Sequence, residues 1–142
     1  MFNNILVLCT GNICRSPIAE ALLKAALPAR QVHSAGIGAM VGWPADPHSV
    51  SVCTDAGVTL VAHRARQLTG EMMQAADLVL VMDQGHVDEL TRRYPQHRGK
   101  VQKWLRWQGN VDVDDPYGMP RREFERIYAE IESGTSDWVK RL

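Results

Sequence analysis

The chain has 142 residues, 45% apolar and 23% charged, with 16 basic and 16 acidic side chains. That length predicts one domain over residues 1–142 with a sizeable core, and a net charge of zero leaves no basic footprint for nucleic acid. Three cysteines at spacings that match no zinc pattern argue against a secreted disulfide scaffold and for a reducing, cytoplasmic compartment, with no metal or cofactor expected.

Met1-Phe2-Asn3-Asn4-Ile5 carries no basic n-region, and the apolar run it opens reads as a strand rather than a signal peptide. Ile5-Leu6-Val7-Leu8 is of the continuously buried type. A tight loop follows, Cys9-Thr10-Gly11-Asn12-Ile13-Cys14-Arg15-Ser16. Ser16 is placed to cap the next helix, with Pro17 at its first position, where a missing N–H costs nothing. Ile18, Ala19, Leu22, Leu23, Ala26 and Leu27 recur at helical spacing until Pro28. Gln31 to Ala35 predicts a short strand, and the Gly- and Pro-rich stretch 36–47 a loop. Asp46-Pro47 starts a helix that Gly57 ends, and a short helix covers Thr69 to Ala76. Leu78 to Met82 is a second buried strand, followed by a helix to about Tyr94 that Pro95 stops. Lys100 to Leu105 predicts a fourth strand. Residues 106–120 lack periodicity and hold Asp112, Asp114 and Asp115. Phe124, Ile127, Tyr128, Ile131, Trp138, Val139 and Leu142 give a last amphipathic helix from about Arg121, which Gly134 interrupts at moderate cost. No segment approaches the ~20 apolar residues of a membrane helix, so the protein is not expected to be membrane-embedded.

Alternating strands and helices with continuously apolar strands predict an α/β fold, doubly wound, with a mostly parallel four-stranded sheet and helices on both faces. Ligands in such folds sit beyond the strand C-termini, where Cys9 falls.

A cysteine six positions before an arginine arises by chance about one time in four at this composition. Its setting between a strand and a helix N-terminus is an anion-binding unit. Cys9 can act as a nucleophile, because a helix N-terminus and a nearby arginine favour the thiolate. The loop N–H groups and the Arg15 guanidinium match phosphate oxygens. An acid would speed departure of an aryl oxide, and Asp112, Asp114 and Asp115 are candidates that composition does not separate. Cys14 either packs beneath the loop or traps an oxidised Cys9 as a disulfide. Cys53 reads as core, and the five histidines show no metal spacing.

Cys9 to Pro17 resembles the phosphate loop of the low-molecular-weight protein tyrosine phosphatases. The resemblance continues in order through Ser34-Ala35-Gly36, His63-Arg64-Ala65-Arg66-Gln67, Met82-Asp83 and Asp115-Pro116-Tyr117. The start, Met1 to Val7, is similar to bacterial members encoded with exopolysaccharide export machinery, which act on autophosphorylated tyrosine kinases. The resemblance implies a phosphotyrosine phosphatase I-like fold and hydrolysis through a phosphocysteine on Cys9. It implies Arg15 as the phosphate ligand and Asp115 as general acid and then base. Ser16 would hydrogen-bond the Cys9 sulfur, while Asn12, Ser34 and His63 would brace the loop. Thr10, Gly11, Asn12, Ile13, Cys14, Ser16, Met40 and Tyr117 would surround the substrate. Asp83 matches a family aspartate without an assigned role. A phosphotyrosine protein, a bacterial tyrosine kinase, is the implied substrate of a monomeric enzyme.

Many eukaryotic members carry two tyrosines after the Asp-Pro and a tryptophan at the pocket wall. Here Tyr117 precedes Gly118, and Met40 stands near the tryptophan position, with Trp43 three residues on. Three other readings compete. Thioredoxin-coupled arsenate reductases need two further cysteines downstream, and after Cys14 only Cys53 remains. Protein-arginine phosphatases carry Thr where this chain has Ile13, whose apolar side suits a phenyl ring instead. A silent phosphate-binding module would not need Cys9, Arg15 and Asp115 together.

Overall fold

A computed structural model describes residues 2–142; Met1, part of the N-terminal resemblance, lies outside the described residues. Four strands form one parallel sheet: β1 (Asn4–Cys9), β2 (Gln31–Gly36), β3 (Leu78–Val81) and β4 (Val101–Lys103). Their order is β2-β1-β3-β4. The helices are α1 (Arg15–Ala26), α2 (Pro47–Asp55), α3 (Gly70–Ala75), α4 (Gln84–Arg93) and α5 (Arg121–Val139). Among the described residues no helix is long and apolar enough to cross a membrane.

The continuous apolar runs have a direct cause. Along β1, Ile5 and Val7 join Leu78 and Leu80 in a core with Ile18, Leu23, Ile127 and Ile131 of α1 and α5. The alternate residues Leu6 and Leu8 join Val79 and Val81 in a second core with Met73 and Leu90 of α3 and α4. A strand with a helix layer on each face has no polar side to show. The doubly wound reading of the sequence therefore holds, and strand order reverses between β1 and β3. The chain leaving Cys9 and the chain leaving Val81 face the crevice that such a switch point creates.

The predicted boundaries hold where local chemistry sets them. Asp46 accepts from the His48 N–H at the start of α2, and Thr69 accepts from the Met72 N–H at the start of α3. Two expectations are corrected. Ser16 does not cap α1: the helix begins at Arg15, its N-cap is Cys14, and no side chain caps it. Pro17 is the third helical residue, still among the first-turn N–H positions without an intrahelical acceptor, so the missing donor remains harmless. The fourth strand is shorter than Lys100 to Leu105, because Pro95–Lys100 winds into a 3₁₀ turn first.

Gly134 is a packing requirement rather than an interruption. A Cβ there would stand 2.5 Å from the indole of Trp104 and 3.1 Å from Leu105. Trp104 cannot retreat, being fully buried and tied by its Nε1–H to the Ile131 carbonyl. Gly134→Ala is therefore expected to lower the unfolding free energy in urea by about 1–3 kcal/mol through overpacking, although alanine gains about 1 kcal/mol in helix propensity.

Candidate active site

The loop after β1 is held from outside by its carbonyls. Cys9, Thr10 and Gly11 carbonyls accept from the N–H groups of Ile37, Gly38 and Met40. Asn12 O accepts from His63 Nε2 at 2.7 Å, Ile13 O from the Asp46 N–H, and Cys14 O from Ser49 Oγ. Every carbonyl from residue 9 to residue 14 is thus spent outward. The N–H groups of Gly11 to Cys14 have no backbone acceptor among the described residues. A loop polarised this way is an anion-binding nest at the start of α1.

Asn12 makes the turn possible. It adopts φ 61°, the left-handed region where Asn is tolerated. Its buried amide donates to Ser16 Oγ at 2.8 Å and to Ser34 Oγ at 3.0 Å, and its Oδ1 accepts from the Arg66 N–H. Ser34 Oγ donates onward to Glu20 at 2.6 Å. Because Ser16 Oγ accepts from Asn12, its own proton is free for Cys9 Sγ, 2.9 Å away. Gly36 lets the partner strand approach, since a Cβ there would lie 2.8 Å from the Thr10 carbonyl.

Arg15 is 1% exposed. Nη1 donates to Asp83 Oδ2 at 3.0 Å and to the Val113 carbonyl at 2.8 Å. Nη2 donates to Thr10 Oγ1 at 3.4 Å and stands 3.7 Å from Asp115 Oδ2. Nε is buried without any partner among the described residues. A buried N–H left unpaired beside a nest of backbone donors is an oxyanion ligand in waiting.

These groups open into one cavity of about 210 Å³. Cys9, Thr10, Gly11, Cys14 and Arg15 line its floor, while Ile13, Met40 and Tyr117 supply apolar wall and Asp115 stands at the side. Gly38 joins them without having been anticipated. Asn12 and Ser16, expected around the substrate, are fully buried behind the loop, because their polar atoms are consumed in holding it. Ser34 and His63 lie in the same bracing layer. Trp43 does not line the cavity and is half exposed. Of the three carboxylates, Asp112 pairs with Lys103 and Asp114 with Arg126. Asp115 alone faces the cavity, its Oδ1 accepting from the Tyr117 N–H. Glu20, Arg66, His86 and the Val113 carbonyl were not anticipated; the last three are brought in from distant segments, and Glu20, on α1 itself, reaches the bracing layer through Ser34.

Burial, and then the Asp46 carboxylate, pushes the Cys14 thiol up, so it stands as the neutral thiol. Burial also pushes His86 down to about 4, against the pull of Asp83. For Asp83, burial acts upward, but the facing His86 and the Arg15 guanidinium outweigh it and hold the carboxyl below its ordinary value.

Residues 4–142 match the family profile described as low molecular weight phosphotyrosine protein phosphatase. The chain is 46% identical over 142 residues to the "Probable low molecular weight protein-tyrosine-phosphatase AmsI" of Erwinia amylovora, covering 100% of this chain and 99% of that one. Wzb of Vibrio vulnificus, solved in complex with benzylphosphonate, superposes with a TM-score of 0.96 at 40% identity, over 100% of both chains. A YwlE arginine phosphatase structure superposes at 0.92 and 33% identity, over 98% of this chain and 95% of that one. It is a Cys-to-Ser variant with a phosphorylated active-site serine.

The buried His86 has a stability consequence. Between pH 6.5 and about 4 the unfolded chain holds a proton on this ring that the folded chain does not. Stability therefore falls as pH falls through that window, by up to about 1.4 kcal/mol per pH unit from this group. Urea titrations at pH 4.5, 5.5 and 6.5 are expected to show that slope, and His86→Gln to flatten it.

Proposed function

Since the chain belongs to the low molecular weight phosphotyrosine protein phosphatase family, we propose that it hydrolyses protein phosphotyrosine through a phosphocysteine on Cys9, the whole chain acting as one catalytic domain. The observation that carries this reading is the polarised cradle: outward carbonyls, an unpaired Arg15 Nε, and Cys9 Sγ beside a hydroxyl that can donate to it. In the first step the Cys9 sulfur attacks phosphorus while the P–O bond to the aryl oxygen breaks, and Asp115 gives that oxygen its proton. Arg15 Nε and Nη2 and the loop N–H groups take the charge on the equatorial oxygens. In the second step Asp115 takes a proton from water, whose oxygen attacks phosphorus. The P–S bond breaks, phosphate is released, and Ser16 steadies the departing sulfur.

Asn12, Ser34 and His63 keep the loop in shape. Thr10, Gly11, Ile13, Met40 and Tyr117 hold the substrate, and Cys14, which lines the same cavity, captures the sulfenic acid of an oxidised Cys9 as a disulfide with loss of water. The family resemblance and the similarity to AmsI and Wzb support a bacterial tyrosine kinase of exopolysaccharide or capsule production as the substrate. Three free cysteines suit a cytoplasmic enzyme, and a single chain is the proposed working unit.

Ile13 favours an aryl phosphate over a phosphoarginine. It is buried among Val52, Ala65 and Phe124 and turns a hydrocarbon face to the cavity, with no hydroxyl for a guanidinium.

Cys9→Ser is expected to lose turnover by more than about 10³-fold while still binding inorganic phosphate by calorimetry. Asp115→Ala is expected to slow phenyl phosphate by about 10²–10⁴-fold and a nitrophenyl ester, with its better leaving group, much less. Paired assays on phosphotyrosine and phosphoarginine peptides test the substrate class; the phosphotyrosine peptide is expected to give the higher kcat/KM, and the reverse ranking would sink that assignment.

A further inference from the structure

Thr10 belongs to two environments. It lines the catalytic cavity beside Cys9 and Arg15, and it also lines a neighbouring groove with Asp83 and His86. His86, in the first turn of α4, is 5% exposed. Its Nδ1 accepts from the Met82 N–H at 3.2 Å, which puts the ring proton on Nε2. Nε2 then donates to Thr10 Oγ1 at 2.9 Å, and Thr10 Oγ1 also accepts from Arg15 Nη2.

We propose that His86 is a positioning residue for phosphate recognition, acting through the Thr10 hydroxyl to set the plane in which Arg15 presents Nε and Nη2. The proposal rests on the phosphatase reading above. Its physical basis is the way the guanidinium is anchored. Asp83 and the Val113 carbonyl both bind Nη1, so together they fix one corner of the group. A planar group held at one corner can still tilt about it. Thr10 holds the second corner, Nη2. Thr10 is itself exposed, and its hydroxyl can occupy any of three staggered positions. His86 selects the one that faces Arg15, and it is held in turn by the backbone at the end of β3. A neutral donor does this without adding a cation to compete with Arg15 for Asp83. Asp83 itself keeps its bond to the His86 backbone N–H, which no substitution of the ring removes.

The test is a double-variant cycle in the full chain, read as inorganic phosphate affinity by calorimetry and as kcat and KM on nitrophenyl phosphate. Thr10→Val and His86→Leu are each expected to weaken phosphate binding about tenfold. The double variant is expected to lose no more than either one, because both break a single relay. His86→Gln, which keeps one donor and one acceptor, is expected to recover most of the affinity. Where His86→Leu folds poorly, His86→Ala is read in its place within the same cycle, and Thr10→Val still overturns the proposal if its phosphate affinity equals that of the wild type. Wild-type phosphate affinity in Thr10→Val, or losses that multiply in the double variant, would overturn the proposal. A wild-type chain that hydrolyses no aryl phosphate sinks the phosphatase reading instead, and the phosphate-affinity cycle still decides the role of His86.

Discussion

A guanidinium is a permanent cation in proteins, and one buried as deeply as that of Arg15 has to be matched inside the fold. Two of the matching groups come from segments that are remote in the chain, and the third from the loop itself. Asp83 follows β3, the Val113 carbonyl comes from the irregular stretch before α5, and Thr10 follows β1. Val113 is itself tied by its N–H to the Met82 carbonyl, so the long connection is pinned at the point where it supplies its ligand. An uncompensated buried ion costs several kcal/mol, which makes the geometry at the C-terminal edge of the sheet stiff. Asp115 stands two residues beyond Val113, beside Nη2, on the same pinned stretch.

Satisfaction of Arg15 is deliberately incomplete in a chemical sense. Nη1 is saturated and Nε has nothing. The loop shows the same asymmetry: its carbonyls are all used and its inward N–H groups are not. Both choices store unpaired donors in one cavity, where an oxyanion with several acceptor atoms can use them together. The cost is carried by the bracing layer. Asn12 sits in the left-handed region and is repaid by three side-chain hydrogen bonds. That layer reaches through Ser34 to Glu20 and through the Asn12 carbonyl to His63.

The cavity joins a cationic, donor-rich floor to a hydrocarbon wall. Ile13 packs into the core behind it, Met40 lies over Gly11, and Tyr117 is half exposed at the rim. A phosphate ester with a flat apolar group meets both parts at once. With no tryptophan among the residues lining the cavity, Met40, an unbranched and adaptable side chain, supplies part of its apolar wall.

The sequence by itself determined the elements and the class of fold, because the forces that form them act locally. Continuous apolar runs mark strands covered on both faces, and Asp46, Thr69 and Pro95 punctuate the helices through their own side chains. It also carried the loop with Cys9 and Arg15, which are six residues apart and need no tertiary contact to be seen together. Ser16 was legible as a helix-start residue but not in its actual place, since its hydroxyl goes to Asn12 and Cys9 instead of to a helix N–H. Residues alone left Asp112, Asp114 and Asp115 equal; Lys103 and Arg126 claim the first two in the folded chain, and neither cation is near them in sequence. Only the tertiary structure decided how Asp83, His86 and Arg66 meet the loop. Such contacts have no period and no spacing, because they are fixed by where the sheet edge and the helix termini come to rest.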